Sequence, residues 1–381
     1  MPPLLSGCAR ATLALSDGSL FLGRAASGEA VASGEVVFNT SMFGYQEMLS
    51  DPSYRGQILV LTTPHVGNVG VNDDDQESGR VWAEGLIVSD LSLLPSNWRA
   101  KGGLLERLAT LGVPVGWGFD TRALVLHLRE KGALPGVLVT GREPGGGELT
   151  RLLGQAHGTD GCDLTREVAV TGTTKWEAPP WQPPGGEPTK TNGGPRIAVI
   201  DCGAKRSILR QLVGAGVEIT VVPPDVAAAE ILEIRPAGVV VSNGPGDPAA
   251  VAGVPETIRH LLGKVPLLGI CLGHQLLGLA LGGKTFKLRF GHHGANHPVR
   301  DERTGAVWIT SQNHNYAVDP ASLPAGAKVS LTNLTDGSVE GIVAEELRAE
   351  GIQFHPEAGP GPHDALGVFK RFAWRCRKGN G

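Results

Sequence analysis

Three residues have the types and settings that nucleophilic chemistry needs. Cys271 lies in Gly-x-Cys-x-Gly (Gly269 to Gly273), between the apolar run Val265 to Ile270 and the helical spacing of His274 to Leu281. A sharp turn of that form, from strand into helix, has the pattern of a nucleophile elbow. Side chains in place of the glycines would block the backbone approach, and the nucleophile sits in a strained conformation. The thiol then faces the positive end of the following helix, which favours thiolate. The N–H of Leu272 points where a tetrahedral oxyanion forms. Cys8, Cys162, Cys202 and Cys376 have no such setting and are read as small hydrophobes.

A thiol nucleophile needs a base, and the base needs an acceptor that fixes its tautomer. Gly351 to Glu357 reads GIQFHPE. Gly351 to Phe354 is expected to be a strand with His355 as its last residue. Pro356 keeps His355 out of the α region. Glu357 can then turn back toward the imidazole. Cys271, His355 and Glu357 together make a complete candidate triad.

The elements around these residues are readable in the second half of the chain. Strands are expected at Arg196 to Asp201, Glu218 to Val222, Gly238 to Ser242 and Val265 to Ile270. Helical spacing separates them at Ser207 to Gly214, Ala227 to Ile234 and His274 to Leu281. Alternating β and α implies an α/β fold: an open, mostly parallel sheet covered on both faces. Ligands of such sheets bind at the carboxyl ends of strands. Asn243 to Pro248, Cys271 to Gln275 and His355 to Glu357 all fall there. The Pro-, Gly- and Thr-rich stretch 171–195 reads as a linker. It divides residues 1–170 from residues 196–381. The first half mixes short strands (Ala11 to Leu15, Glu35 to Asn39) with helices (Leu104 to Leu111, Thr121 to Lys131) in a topology that pattern alone does not determine.

These residues carry a resemblance to known proteins. GICLGHQ (Gly269 to Gln275), HPE (His355 to Glu357) and SNGPGDP (Ser242 to Pro248) resemble the class I, triad-type glutamine amidotransferases. Gly34 to Tyr54, Thr63 to Asn72 and Asp120 to Ala133 are similar to the carbamoyl-phosphate synthase small-chain family, as are Phe290 to Val299, Gln312 to Val318 and Pro356 to Asp364. The resemblance covers nearly the whole chain apart from the linker and parts of 141–161. It implies a class I glutamine amidotransferase domain behind an amino-terminal small-chain domain, and a glutaminase that delivers ammonia to a partner.

The resemblance also implies roles. Cys271 attacks the side-chain amide carbon of glutamine, the N–H groups of Leu272 and Gly244 hold the oxyanion, His355 moves the protons, and Glu357 orients His355. Ser53, Gly244, Gly246, Leu272, Gln275, Asn313, Asn315 and Tyr316 match glutamine-binding positions. The implied partner is a large ATP-using chain, in a heterodimer or a higher oligomer. ATP and divalent metal belong to that chain, with no cofactor expected in this one. Carbamoyl phosphate made from bicarbonate would serve arginine and pyrimidine biosynthesis. Asn315 departs from the family's usual Gly, Ser207 from Asn, and Cys202 from an aromatic; Asn tolerates the left-handed region better than most residues. The contrasting reading is a non-catalytic scaffold that keeps the fold without the chemistry, and the intact triad argues against it.

Composition removes other classes. A net charge of -4 gives no electrostatic case for nucleic acid or an anionic membrane. No apolar run is long enough to span a bilayer, and the first ten residues lack the make-up of a signal peptide. An odd number of cysteines without a CxxC pair favours a reducing, cytoplasmic setting. Gly278 to Thr285 matches GxxxxGK[ST], but a phosphate loop must follow a strand and open a helix. Here the glycines are expected to end a helix and Lys284 to Phe290 to form a strand. His292, His293 and His297 are expected in a glycine-bearing loop without metal, and Asp73 to Asp75 in a solvated turn.

Overall fold

The computed structural model describes residues 9–145, 147–185 and 193–378. Residues 1–8, read above as lacking a leader, and 186–192 of the linker lie outside the described residues. The chain divides into two compact units, one of residues 1–160 with 289–293 and one of 161–288 with 294–381.

The first unit is built on β1 (Arg10–Leu15), β2 (Leu20–Ala25), β3 (Ala30–Asn39), β4 (Gln57–Leu61), β5 (Gly85–Val88), β6 (Val115–Trp117) and β7 (Leu134–Thr140). They close into a barrel in the order β1-β2-β6-β5-β4-β3-β7. Period-two alternation sorts β4 between two apolar clusters: Ile58 and Val60 join one, Leu59 and Leu61 the other. Helix Thr121–Lys131 is capped by Asp120, whose side chain accepts the Ala123 N–H at 2.9 Å, and stops at Gly132 with φ 103°. Helix Leu104–Thr110 is also where its spacing placed it. Asp73 to Asp75 are matched by cations: Asp75 takes a two-pronged contact from Arg99 and Asp73 meets Lys101 at 2.9 Å.

The second unit carries a ten-stranded sheet. Its strands are β8 (Thr174–Trp176), β9 (Arg196–Ile200), β10 (Glu218–Val222), β11 (Gly238–Val241), β12 (Leu267–Ile270), β13 (Thr285–Asp301), β14 (Val307–Val318), β15 (Lys328–Asn333), β16 (Val339–Ala344) and β17 (Ala349–Ile352). β10, β9, β11, β12 and β17 pair in parallel, in that order. This is the expected parallel core. β16, β15 and β13, each paired antiparallel, continue it beyond β17, and β14 lies next to β13. Along β9, Ile197 and Val199 face one apolar cluster with helices Arg206–Gly214 and Gly367–Lys378. Ala198 and Ile200 face the other, with helices Ala228–Glu233, Val254–Leu261 and Leu272–Ala280. Both faces are therefore buried, which is why these strands read as near-continuous apolar runs.

Three expectations need correction. The first unit ends at Asp160, not at 170. Residues 161–170 are tied to the second unit: Gly161 N–H donates to Asp247 at 3.0 Å, Asp247 N–H to Cys162 O at 3.0 Å, and Val170 N–H to Asp201 at 2.8 Å. The start of the expected linker is a strand, because Thr174–Trp176 extends the sheet edge on β10. The histidines at 292, 293 and 297 lie within β13, not in a loop. Sheet pairing overrides the local signal of Gly291 and Gly294 there. The helix before Gly282-Gly283 does end there, with Gly282 at φ 96°, and β13 follows.

Candidate active site

The sheet places the candidate nucleophile and base on neighbouring strands. β12 and β17 run in parallel register with Ile270 opposite Ile352, and Cys271 N–H donates to Ile352 O at 2.8 Å. Cys271 therefore leaves the sheet beside the segment that carries His355. The expected strand over Gly351 to Phe354 ends earlier, at Ile352. Its extension is held instead by an isolated bridge in which His355 N–H donates to Ser311 O at 2.9 Å.

Cys271 is strained as the elbow pattern requires, at φ 54° and ψ −107°. The reason for the glycines is measurable. A Cβ on Gly269 would lie 2.3 Å from Gly273 O, and one on Gly273 would lie 2.1 Å from Val241 O. The adjacent turn after β11 is as close-packed: a Cβ on Gly244 would lie 2.1 Å from Cys202 O. A methyl there would also approach the Leu272 side chain at 2.9 Å, so Gly244 and Leu272 are neighbours. Among the described residues neither the Leu272 N–H nor the Gly244 N–H has a hydrogen-bond acceptor. Two unsatisfied donors beside a nucleophile are what an oxyanion hole requires.

His355 Nδ1 and Glu357 Oε1 are 2.6 Å apart. A carboxylate accepts only, so Nδ1 carries the proton and Nε2 is left to face the nucleophile. Nε2 is buried and has no hydrogen bond among the described residues. Burial favours the neutral imidazole, but Glu357 outweighs it and the pKa of His355 is raised. Lys205 works against that rise, and Cys271 adds to it. Glu357 is itself buried, which opposes ionisation, yet Lys205 and then His355 hold its carboxyl below the usual range.

Lys205 is one residue that the sequence did not single out. It is buried, its Nζ meets Glu357 Oε1 at 2.9 Å, and it donates to Ala358 O at 2.6 Å. Glu357 is thus held between the Lys205 ammonium and the His355 imidazole. The available signal was position: Lys205 follows β9 at the same carboxyl edge as the triad. His274 is a histidine near the nucleophile that is not a base. Burial drives its pKa down to about 3, against a small opposing contribution from the Gly351 backbone, so it stays neutral.

Gln275, on the elbow helix, donates from Nε2 to Tyr316 O at 2.8 Å and to Gln353 Oε1 at 3.0 Å. Asn313, Asn315 and Tyr316 lie on β14, and Asn313 O is 3.6 Å from Cys271 Sγ. Asn315 has ordinary extended backbone, so its tolerance of the left-handed region is not used. Gly246 does need its glycine: φ is 94° and a Cβ would lie 2.5 Å from Cys162 O. Ser53 belongs to the first unit, buried in the 3-10 helix Pro52–Tyr54, with its N–H on the Asp51 side chain at 2.9 Å.

Two protein families match the chain. The family described as glutamine amidotransferase class-I covers residues 198–374. The carbamoyl-phosphate synthase small chain, CPSase domain, covers residues 13–138. Full-length relatives agree. The chain is 47% identical over 367 residues to the chloroplastic carbamoyl phosphate synthase small chain of Arabidopsis thaliana, covering 95% of this chain and 84% of that one. It is 47% identical over 362 residues to the carbamoyl phosphate synthase small chain of Aquifex aeolicus, covering 95% and 97%. With that of Methanopyrus kandleri it shares 48% over 373 residues, covering 97% and 99%.

Proposed function

Because the chain belongs to the carbamoyl-phosphate synthase small-chain family, we infer that it is the glutaminase subunit of a glutamine-hydrolysing carbamoyl-phosphate synthase. It works on L-glutamine and with a large chain. The observation that carries the catalytic reading is the 2.6 Å contact of His355 Nδ1 with Glu357, which leaves Nε2 for the proton of Cys271.

The chemistry follows from those atoms. Cys271 Sγ attacks the side-chain amide carbon of glutamine, and the thiol proton passes to His355 Nε2. The N–H groups of Leu272 and Gly244 hold the oxyanion. His355 returns the proton to the departing nitrogen, ammonia leaves, and a γ-glutamyl thioester remains. Water then loses a proton to His355 and attacks the thioester, and glutamate and the thiol are restored. Glu357, which Lys205 keeps ionised, stabilises the imidazolium that forms twice in this sequence. Gln275 has committed its Nε2 to Tyr316 and Gln353, so Oε1 is the atom it offers to the α-ammonium of glutamine. Gly246, Asn313, Asn315 and Tyr316 complete the proposed glutamine contacts of the second unit.

Ammonia reacts as the free base, so it must reach the large chain without meeting bulk water. The large chain supplies the ATP and divalent-metal chemistry on bicarbonate, and this chain needs no cofactor of its own. The assembly is a heterodimer or a multiple of one, and the first unit is its docking side. Met42, Phe43, Leu94 and Trp98 of that unit are 81%, 56%, 80% and 73% exposed, which supports an apolar partner surface there. The site is cytoplasmic, with arginine and pyrimidine synthesis as the outlets. The cysteine pattern supports that setting, and no helix among the described residues is long and apolar enough to cross a membrane.

The test is to trap the intermediate. Acid quenching of the complex turning over glutamine should leave a glutamyl group on Cys271, read by peptide mass spectrometry. Glutamate production with the group on another residue would contradict the assignment.

A further inference from the structure

Cys271 has a polar neighbour that the triad does not include. Gln353 is fully buried, and its Nε2 lies 3.9 Å from Cys271 Sγ. Which end of an amide faces a neighbour is normally an assignment. Here the surroundings force it. Tyr316 O can only accept, so Gln275 must present Nε2 to it, at 2.8 Å. The same Nε2 lies 3.0 Å from Gln353, so the atom of Gln353 on that side must be Oε1. The other end of the Gln353 amide, turned to the sulfur, is therefore the N–H donor.

A donor aimed at sulfur distinguishes its two protonation states. A thiolate accepts a charge-assisted hydrogen bond, whereas a thiol is a weak acceptor. Asn313 O on β14, 3.6 Å from the sulfur, can only accept and so offers nothing to a thiolate. We propose that Gln353 stabilises the thiolate of Cys271, and that Gln275 acts through it as a positioning residue that keeps the donor turned to the sulfur. This rests on the glutaminase reading and deepens it. A residue assigned to the substrate also fixes the amide that touches the nucleophile, so ligand binding at Gln275 and ionisation at Cys271 share one hydrogen-bonded chain.

Other charged and titratable groups lie on the elements around Cys271 and Gln353 and are common to every variant below. His355 approaches from the segment after β17, with Glu357 and Lys205 behind it. His274 is neutral on the elbow helix, and His314 on β14 is bonded at both ring nitrogens, to Tyr316 O and Gln312 Oε1. Glu340, on β16, offers its backbone O to Gln353 N–H and a carboxyl oxygen to Asn333.

The experiment is the pH dependence of iodoacetamide alkylation at Cys271, followed by peptide mass spectrometry in the assembled complex. Gln353→Met keeps the side-chain length and removes the donor. Gln353→Glu keeps the shape and puts an acceptor where the donor was. The midpoint should rise by about one pH unit in Gln353→Met, an alkylation rate about tenfold lower at pH values well below both midpoints, and further in Gln353→Glu. Gln275→Met, which leaves Gln353 intact but unoriented, provides an independent route and should also raise the midpoint. Coincident profiles, or a midpoint for Gln353→Glu at or below that of Gln353→Met, overturn the proposal. Alkylation reports on the sulfur whether or not glutamine is turned over. A failed glutaminase assignment and a failed role for Gln353 are therefore separable.

Discussion

Glu357 is a carboxylate with almost no access to water, and it is ionised because Lys205 and His355 both lie against it. A buried charge with its partners in place costs little, whereas one stripped of a partner is expensive. Lys205→Met should therefore destabilise the fold by about 3 kcal/mol or more, read as a lower urea midpoint. A change within 0.5 kcal/mol or so, the range of ordinary surface substitutions, would mean that Glu357 does not depend on Lys205. His274 makes a separate pH prediction. Its folded pKa is near 3 and its unfolded value 6.5, so between those limits the unfolded chain binds the extra proton. Stability from this residue is present above pH 6.5 and is lost as the pH falls toward 3. A His274→Asn variant should show a flatter fall in stability over that window. An unchanged slope would place the acid sensitivity elsewhere.

At the scale of elements, the elbow exists because two glycines let a strand, a turn and a helix approach within contact of Val241. Gly273→Ala would put a methyl carbon 2.1 Å from a backbone oxygen that cannot move without breaking the sheet. We expect loss of stable folding or of all glutaminase activity. Gly282→Ala has open space around it but φ 96°, so only the backbone penalty of about 1 kcal/mol applies. Denaturant titration of the two variants should rank them in that order, and a milder effect at Gly273 would remove the steric explanation.

The same elbow was legible in the sequence because strand, glycine spacing and helix are all local signals. Glu218 to Val222 and Thr121 to Lys131 were likewise placed from their own periodicity. The barrel was not legible. β5 and β6 are runs of four and three residues whose partners lie far away in sequence, and β1 closes on β7 across most of the unit. β8 was hidden in a Pro-rich stretch because an edge strand needs only a neighbour with free backbone groups. Lys205 and Gln353 escaped for a related reason. What each does depends on which residues the sheet order brings beside it.

For the whole molecule, the distribution of apolar surface bears on the partner. Trp98 and Leu94 are large, exposed and close in sequence, in a domain that contributes no triad residue. Aromatic anchors of this kind dominate interfaces. Trp98→Ala should weaken association with the large chain by about tenfold or more, roughly 1.4 kcal/mol, measured by sedimentation or by titration of synthase activity. Unchanged affinity would move the docking surface elsewhere.

The proposed role of Cys271 is to release ammonia from glutamine, not to take part in the synthesis that uses it. Its most direct test is the Cys271→Ala complex, assayed for carbamoyl phosphate with glutamine and, separately, with ammonium salts. We expect no product from glutamine and undiminished product from ammonium. Retained synthesis from glutamine, or loss with both nitrogen sources, would contradict it.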